Sequence, residues 1–179
     1  MSPLPSDPSR VLREYAVEPL RRELRKAGAR VLVLTGPGDV LELARTTVSF
    51  DAAWIELDAL AGIDLPSLGR EVVRVLRPGG RLVCLVPGAV PLPRLLSRAL
   101  QGRGAPPHGA GFAAWRRAFS PAVAWRRARA FGVLVPEAES WPRLHPLAIA
   151  LLAAVEHALG RWPLLRALGE RVLHEGVRR

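Results

Sequence analysis

The chain has 179 residues, 49% hydrophobic and 23% charged, a balance that builds one globular core and excludes a disordered tail. Lys+Arg outnumber Asp+Glu by 26 to 16, a formal charge of +10 that raises nucleic acid or anionic membrane as partners. Lys26 is the sole lysine, so the excess is arginine in a chain also rich in residues with GC-rich codons, and composition accounts for part of the charge. The single cysteine, Cys84, excludes a disulfide framework, and none of the four histidines has metal-ligand spacing. Residues 1–10 carry three prolines and no apolar core, unlike a secretory signal, and the longest apolar stretch, Leu147 to Val155, is too short to span a bilayer. A cytoplasmic protein without metal is expected.

In chain order, Asp7-Pro8 reads as a helix start, and Leu20, Leu24 and Ala27 continue a helical stripe to Gly28. Val31-Leu-Val-Leu34 is an apolar strand that breaks into Thr35-Gly36-Pro37-Gly38-Asp39, and a short helix follows over Val40–Ala44. Phe50 to Glu56 is a second strand, with Glu56 and Asp58 at its far end. Leu68, Val72, Val75 and Leu76 have helical spacing, stopped by Arg77-Pro78-Gly79-Gly80, and Arg81 to Val86 is a buried strand. Strand, helix, strand, helix, strand with continuous apolar strands predicts an α/β fold, a mostly parallel sheet with helices on both faces. Beyond Pro87 the expectations are a helix over Leu92–Leu100, a loop over Gln101–Gly111, a helix from Ser120-Pro121 through Arg129, a strand near Phe131–Val135, an apolar helix over Pro146–Leu159, and a last strand within Glu170–Arg178.

Phe50-Asp51-Ala-Ala through Glu71, then Val75-Leu-Arg-Pro-Gly-Gly-Arg-Leu-Val83, resembles the second half of a class I S-adenosylmethionine-dependent methyltransferase domain. The end of the chain, including Leu164-Leu-Arg-Ala-Leu-Gly-Glu-Arg-Val-Leu173, is similar to the last third of the small-molecule and lipid-type members. The resemblance implies a Rossmann-like methyltransferase fold over 29–179, preceded by a helical segment over 1–28, with S-adenosylmethionine as cofactor. It also aligns Thr35 to Asp39 with the family's glycine-rich cofactor loop, so Gly36, Gly38 and Asp39 become candidate cofactor residues. The usual acidic residue of the first strand is replaced by Val33. Asp39 has two readings, a helix cap or a ligand, and Glu56 and Asp58 are either cofactor-side carboxylates at a strand's carboxyl end or solvated loop residues. His108 is a candidate on the acceptor side.

In that family two further strand–helix units separate the strands matched here by Val31–Leu34 and Asp51–Ile55, and they supply the ribose carboxylate and the adenine flank. Here Thr35 to Phe50 is sixteen residues. One parallel crossover needs about ten to twelve residues, so one helix fits and two additional strands do not. The fold is therefore expected to be truncated, with an exposed edge along Val31–Leu34 that needs a partner protein or a second copy of the chain to cover it. Two functions follow: divergent methyl transfer to a small or lipid-like acceptor, or a non-catalytic scaffold or regulatory subunit, a pseudoenzyme that has lost the cofactor site.

Trp115-Arg116-Arg117 and Trp125-Arg126-Arg127-Ala-Arg129 place two Trp-Arg-Arg units ten residues apart. Such a surface suits anionic lipid or RNA if the rings face out; if they face in, the arginines line a packed core edge.

Overall fold

A computed structural model describes residues 17–25, 29–56, 60, 62–88, 112–120, 122–131, 133, 151–152, 154–155, 158–162, 168–169 and 171–179. Its elements in chain order are α1 (Glu18–Arg25), β1 (Val31–Leu34), α2 (Pro37–Arg45), β2 (Phe50–Glu56), α3 (Leu65–Val75), β3 (Leu76–Pro87), α4 (Phe112–Phe119), β4 (Val123–Phe131) and β5 (Arg171–Arg178). The five strands form one sheet in the order β1-β2-β3-β5-β4. The expected Leu92–Leu100 helix, the Gln101–Gly111 loop with His108, and Asp58 lie outside the described residues, as does most of Pro146–Leu159, of which 151–152, 154–155 and 158–159 are helical.

The parallel half follows from its sequence. Ala52, Ala53, Trp54 and Ile55 on β2 and Leu82 to Val86 on β3 are all buried, because a parallel strand covered on both faces has no solvent side to alternate with. β1 pairs with β2 in parallel (Val31 opposite Ala52, Leu34 opposite Ile55), and β2 with β3 (Ala53 opposite Leu82, Ile55 opposite Cys84). Leu34, Ala53, Ile55, Leu82 and Cys84 share one core with Leu43 of α2, Leu68, Val72 and Val75 of α3, and Trp115 and Phe119 of α4. Gly69 sets the α3–α4 approach: a Cβ there would lie 2.4 Å from the Ala118 carbonyl oxygen, so only glycine allows it.

The single-helix crossover from β1 to β2 is tied down from outside. Arg74 of α3 donates from Nη1 to the Thr46 carbonyl at 2.9 Å and from Nη2 at 3.1 Å to the Leu43 carbonyl, which also accepts from the Thr46 N–H, so one guanidinium holds the end of α2. α3 itself starts where Asp64 accepts from the Ser67 backbone N–H at 3.1 Å, with a proline in its first turn.

β5 runs against both neighbours. The Arg179 N–H donates to the Ala122 carbonyl at 2.8 Å while Gly176 faces Val123 and Trp125, so numbers fall along β5 as they rise along β4. Arg178 donates to the Leu76 carbonyl, and Arg81 lies 3.7 Å from Glu175, which gives the same sense against β3. The sheet is thus mostly, but not entirely, parallel.

Two expectations change. The segment Ser120–Arg129 is not a helix: α4 ends at Phe119 and β4 begins at Val123. Alanine and arginine favour helix locally, but pairing with β5 outweighs that preference, and Gly176 admits the close approach, since a Cβ there would lie 2.6 Å from a Val123 methyl. Of the strand expected near Phe131–Val135, Phe131 is the last residue of β4, while residues 132 and 134–135 lie outside the described residues. Arg77-Pro78-Gly79-Gly80 does not lie between helix and strand; β3 already starts at Leu76 and carries these residues as a bulge. β2 advances from Phe50 to Ala52 while β3 advances from Leu76 to Arg81.

The chain divides into two compact units. One comprises residues 23–87, 109–128 and 173–179 and holds the core described above. The other comprises 1–22, 88–108 and 129–172. Within it the Ala130 N–H donates to the Gly160 carbonyl at 3.0 Å, and Gly169 lies against Ala130 and Phe131, where a Cβ would come within 2.8 Å.

Candidate functional site

Parallel strands present one set of ends to ligands, the carboxyl ends, where the backbone turns outward. Here those ends are Leu34 of β1, Glu56 of β2 and Pro87 of β3. Because Leu34 stands opposite Ile55, and Glu56 opposite Leu85, the register sets the Thr35–Asp39 loop beside Glu56.

The loop is shaped by its own sequence. Pro37 fixes the backbone at the first position of α2, and Gly36 precedes it in extended conformation. Asp39, one turn into the start of α2, reaches back: its Oδ2 accepts from the Thr35 N–H at 2.7 Å, the Gly36 N–H at 3.0 Å and the Thr35 hydroxyl at 3.3 Å. One carboxylate oxygen thus takes the donors that face the strand end. Of its two readings, the cap is the one the geometry contains. Gly36 and Gly38 face open space, with no atom within 4 Å of where a Cβ would stand.

Glu56 is partly buried and accepts from the Trp54 indole N–H at 3.0 Å. The two residues are two apart on β2, so they share a sheet face, and the buried indole finds in Glu56 the acceptor it requires. His174, expected as a surface or packing residue, is buried on β5 with its ring 6.2 Å from that of Trp125. Burial pushes the Cys84 thiol far above its ordinary range, so it is held neutral and is no nucleophile. Among the described residues no group of three or more His, Cys, Asp and Glu could hold a metal ion. No described helix is long and apolar enough to cross a membrane.

These residues do not fit S-adenosylmethionine as a self-contained site. A glycine loop serves such a cofactor through free N–H groups, and two of them here are bonded to Asp39. The sheet passes directly from β1 to β2, with the single helix α2 between them.

The most recognisable motif residues lie at the opposite ends of the strands, a role their sequence did not reveal. Asp51 accepts from the Arg30 N–H at 2.7 Å through Oδ2 and pairs with Arg77 at 2.5 Å through Oδ1. Gly79 has φ of 76°, and a Cβ on Gly80 would stand 2.8 Å from the Leu76 side chain, so both glycines are needed for the bulge that brings Arg77 to Asp51. The Phe-Asp and Arg-Pro-Gly-Gly signatures tie the amino ends of β1, β2 and β3 together.

Of the basic residues, Arg116 and Arg117 are exposed on α4, Arg126 and Arg127 are exposed on β4, and Arg129 is half-buried. Trp115 and Phe119 face inward at 4% and 1% exposure. Trp125 is half-buried and packs against the same core, so the rings of both units lean inward while their arginines, apart from the half-buried Arg129, are exposed.

No protein-family profile matches the chain, and no curated protein is similar to it. Solved structures similar to it are S-adenosylmethionine-dependent methyltransferases. The glycopeptide N-methyltransferase MtfA with S-adenosylhomocysteine is 13% identical at a TM-score of 0.48, over 97% of this chain and 90% of that one. The N-methyltransferase NodS from Bradyrhizobium japonicum is 11% identical at 0.44, over 96% and 97%. The complex of the Haloferax volcanii Trm112 methyltransferase activator and its candidate methyltransferase gives 18% at 0.44, over 94% and 78%.

Proposed function

We propose that this chain is a methyltransferase-like α/β subunit that acts as a non-catalytic scaffold or regulatory partner and does not bind S-adenosylmethionine alone. The observation that carries this reading is Asp39, whose Oδ2 accepts both loop N–H groups and the Thr35 hydroxyl. A cofactor would have to displace a charged acceptor from each N–H, and hydrogen bonds to charged groups contribute about 1.5–3 kcal/mol each. The end strand β1 supports the partner: it is four apolar residues with no charge, proline or bulge, no strand pairs with its outer side among the described residues, and a partner protein or a second copy would cover it.

A second reading, divergent methyl transfer to a small or lipid-like acceptor, is favoured by the open faces of Gly36 and Gly38 beside Glu56. In that reading a partner chain supplies the missing half of the pocket. Transfer itself would then rest on alignment of donor and acceptor rather than on a side-chain base.

Calorimetry with S-adenosylmethionine and with S-adenosylhomocysteine separates the two. No heat of binding at millimolar ligand is expected. Binding that disappears in Gly38→Arg, a substitution with open space around it, would overturn the scaffold in favour of the transferase. For the edge, light scattering is expected to show self-association or a heterocomplex; a monodisperse monomer without partner would remove that part of the reading.

A further inference from the structure

The corner formed by α4 and β4 has no role in the reading above. There Trp115 stacks on Phe119 with ring centroids 5.8 Å apart, Phe119 meets Trp125 edge-on at 6.1 Å, and Trp125 meets His174 of β5 at 6.2 Å. This ladder bolts a helix to a strand. It brings together two Trp-Arg-Arg units that the sequence separates by a turn, so Arg116, Arg117, Arg126 and Arg127 stand exposed on a rigid base. Arg116, Arg126 and Arg127 form no ion pair among the described residues. β4 is also the last strand of the sheet.

We propose that this corner binds an extended acidic polypeptide segment, which adds to β4 as a further strand and places its carboxylates on the arginines. Two features point to one occupant. Among the described residues no strand pairs with the outer side of β4; the Ala130 N–H near its end is taken by the Gly160 carbonyl, and over Val123–Arg127 an end strand offers main-chain donors and acceptors to an extended chain, the mode of strand addition. Consecutive residues of a strand point to opposite faces, so Arg126 and Arg127 straddle an added strand and reach its side chains on both sides. Guanidinium groups receive carboxylates through paired N–H donors, which makes a glutamate-rich segment the complementary ligand.

The burial of the rings argues against the other polyanions. Single-stranded nucleic acid needs an open aromatic platform on which bases stack; the Trp115 and Phe119 rings are inside, and the half-buried Trp125 is packed edge-on against Phe119 and His174. Insertion at a lipid surface needs exposed apolar side chains beside the cations, and among the described residues the large exposed hydrophobics, Leu41, Val48, Leu151, Val155 and Trp162, lie on other segments.

The test uses the full chain and a fluorescent heptapeptide, Thr-Glu-Glu-Val-Glu-Glu-Thr, titrated at about 50 mM and about 300 mM salt. Binding with a dissociation constant on the order of micromolar is expected at the lower salt. Arg126→Glu with Arg127→Glu should weaken it about tenfold or more, whereas Arg45→Glu, an exposed arginine on α2, should leave it unchanged. The same peptide with alternate backbone nitrogens methylated should not bind, because strand addition needs those N–H groups. Should the β4 double variant fail to fold, Arg116→Ala with Arg117→Ala on α4 is read for the same loss. The proposal is overturned if the peptide does not bind at the lower salt, if the methylated peptide binds equally, or if Arg45→Glu weakens binding as much. Tighter binding to oligouridylate or to phosphatidylserine vesicles would overturn it as well.

Discussion

The two ends of the parallel strands are built differently. At the amino ends, Asp51 joins the start of β1 to the β3 bulge, Arg178 of β5 reaches the Leu76 carbonyl, and Arg81 holds Glu23 of α1 at 2.9 Å. At the carboxyl ends, Asp39 folds back on its own loop and Glu56 bonds its neighbour Trp54. The first set of contacts spans elements far apart in the chain, and the second is local. The Phe-Asp and Arg-Pro-Gly-Gly residues are thus architectural, while the contacts at the carboxyl ends stay within one loop and one strand.

Substitutions can break or sharpen that contrast. The largest effect is expected for Gly80→Ala at the amino ends, where the new Cβ would stand 2.8 Å from the Leu76 side chain and the Arg77 carbonyl oxygen. Overpacking of this kind costs about 1–3 kcal/mol, read as a lower denaturant midpoint. Gly38→Ala at the other end should be neutral or stabilising by about 1 kcal/mol, since the position is helical and open. Equal losses at both glycines would erase the distinction between the ends.

Asp51→Ala comes next. It removes the acceptor of the Arg30 N–H and the partner of Arg77, and a loss of about 1–2 kcal/mol is expected in urea unfolding. Asp39→Ala should cost about 1 kcal/mol, the usual magnitude for a lost cap. In amide hydrogen exchange its effect should stay within Thr35 and Gly36, whereas that of Asp51→Ala should reach β1, β2 and β3.

The smallest effect is pH-dependent. Hydrogen bonding from the Ser67 side chain and backbone holds the Asp64 carboxyl below its ordinary value of 3.8. The carboxylate's stabilisation of α3 is therefore fully present above that value and fades as pH falls through the lower folded-state value. Thermal unfolding of Asp64→Asn should show a shallower acid loss than the parent chain. An identical acid profile would mean that the cap contributes nothing.

Much of this molecule is legible in order. The apolar runs of β1, β2 and β3, the stripe of α3 and the sixteen-residue connection from Thr35 to Phe50 identify a shortened parallel half. The connection length admits one helix between β1 and β2; that β1 ends the sheet is what the methyltransferase resemblance implies, and it is the order found. β4 was not legible, since Val-Ala-Trp-Arg-Arg-Ala-Arg-Ala-Phe has the composition of a helix and becomes a strand only beside β5. Asp39 shows the same limit at the candidate site. Its position after two glycines suits a cap first and a ligand second, and the path of the loop, which turns Thr35 and Gly36 toward it, makes the capping bonds that the sequence does not show.

The α/β class, the helical stripe of α3, the single-helix connection from β1 to β2 and the arginine excess are legible in the sequence. Each depends on run length, spacing or count, quantities that are local in the chain. Tertiary structure alone decided that the Phe-Asp and Arg-Pro-Gly-Gly residues clamp the amino ends, that both Trp-Arg-Arg units meet on one aromatic ladder, and that Asp39 closes its own loop. Those outcomes depend on which groups become neighbours when strands pair and helices pack, and pairing between distant segments is set by the global balance of burial and hydrogen bonding rather than by any local preference.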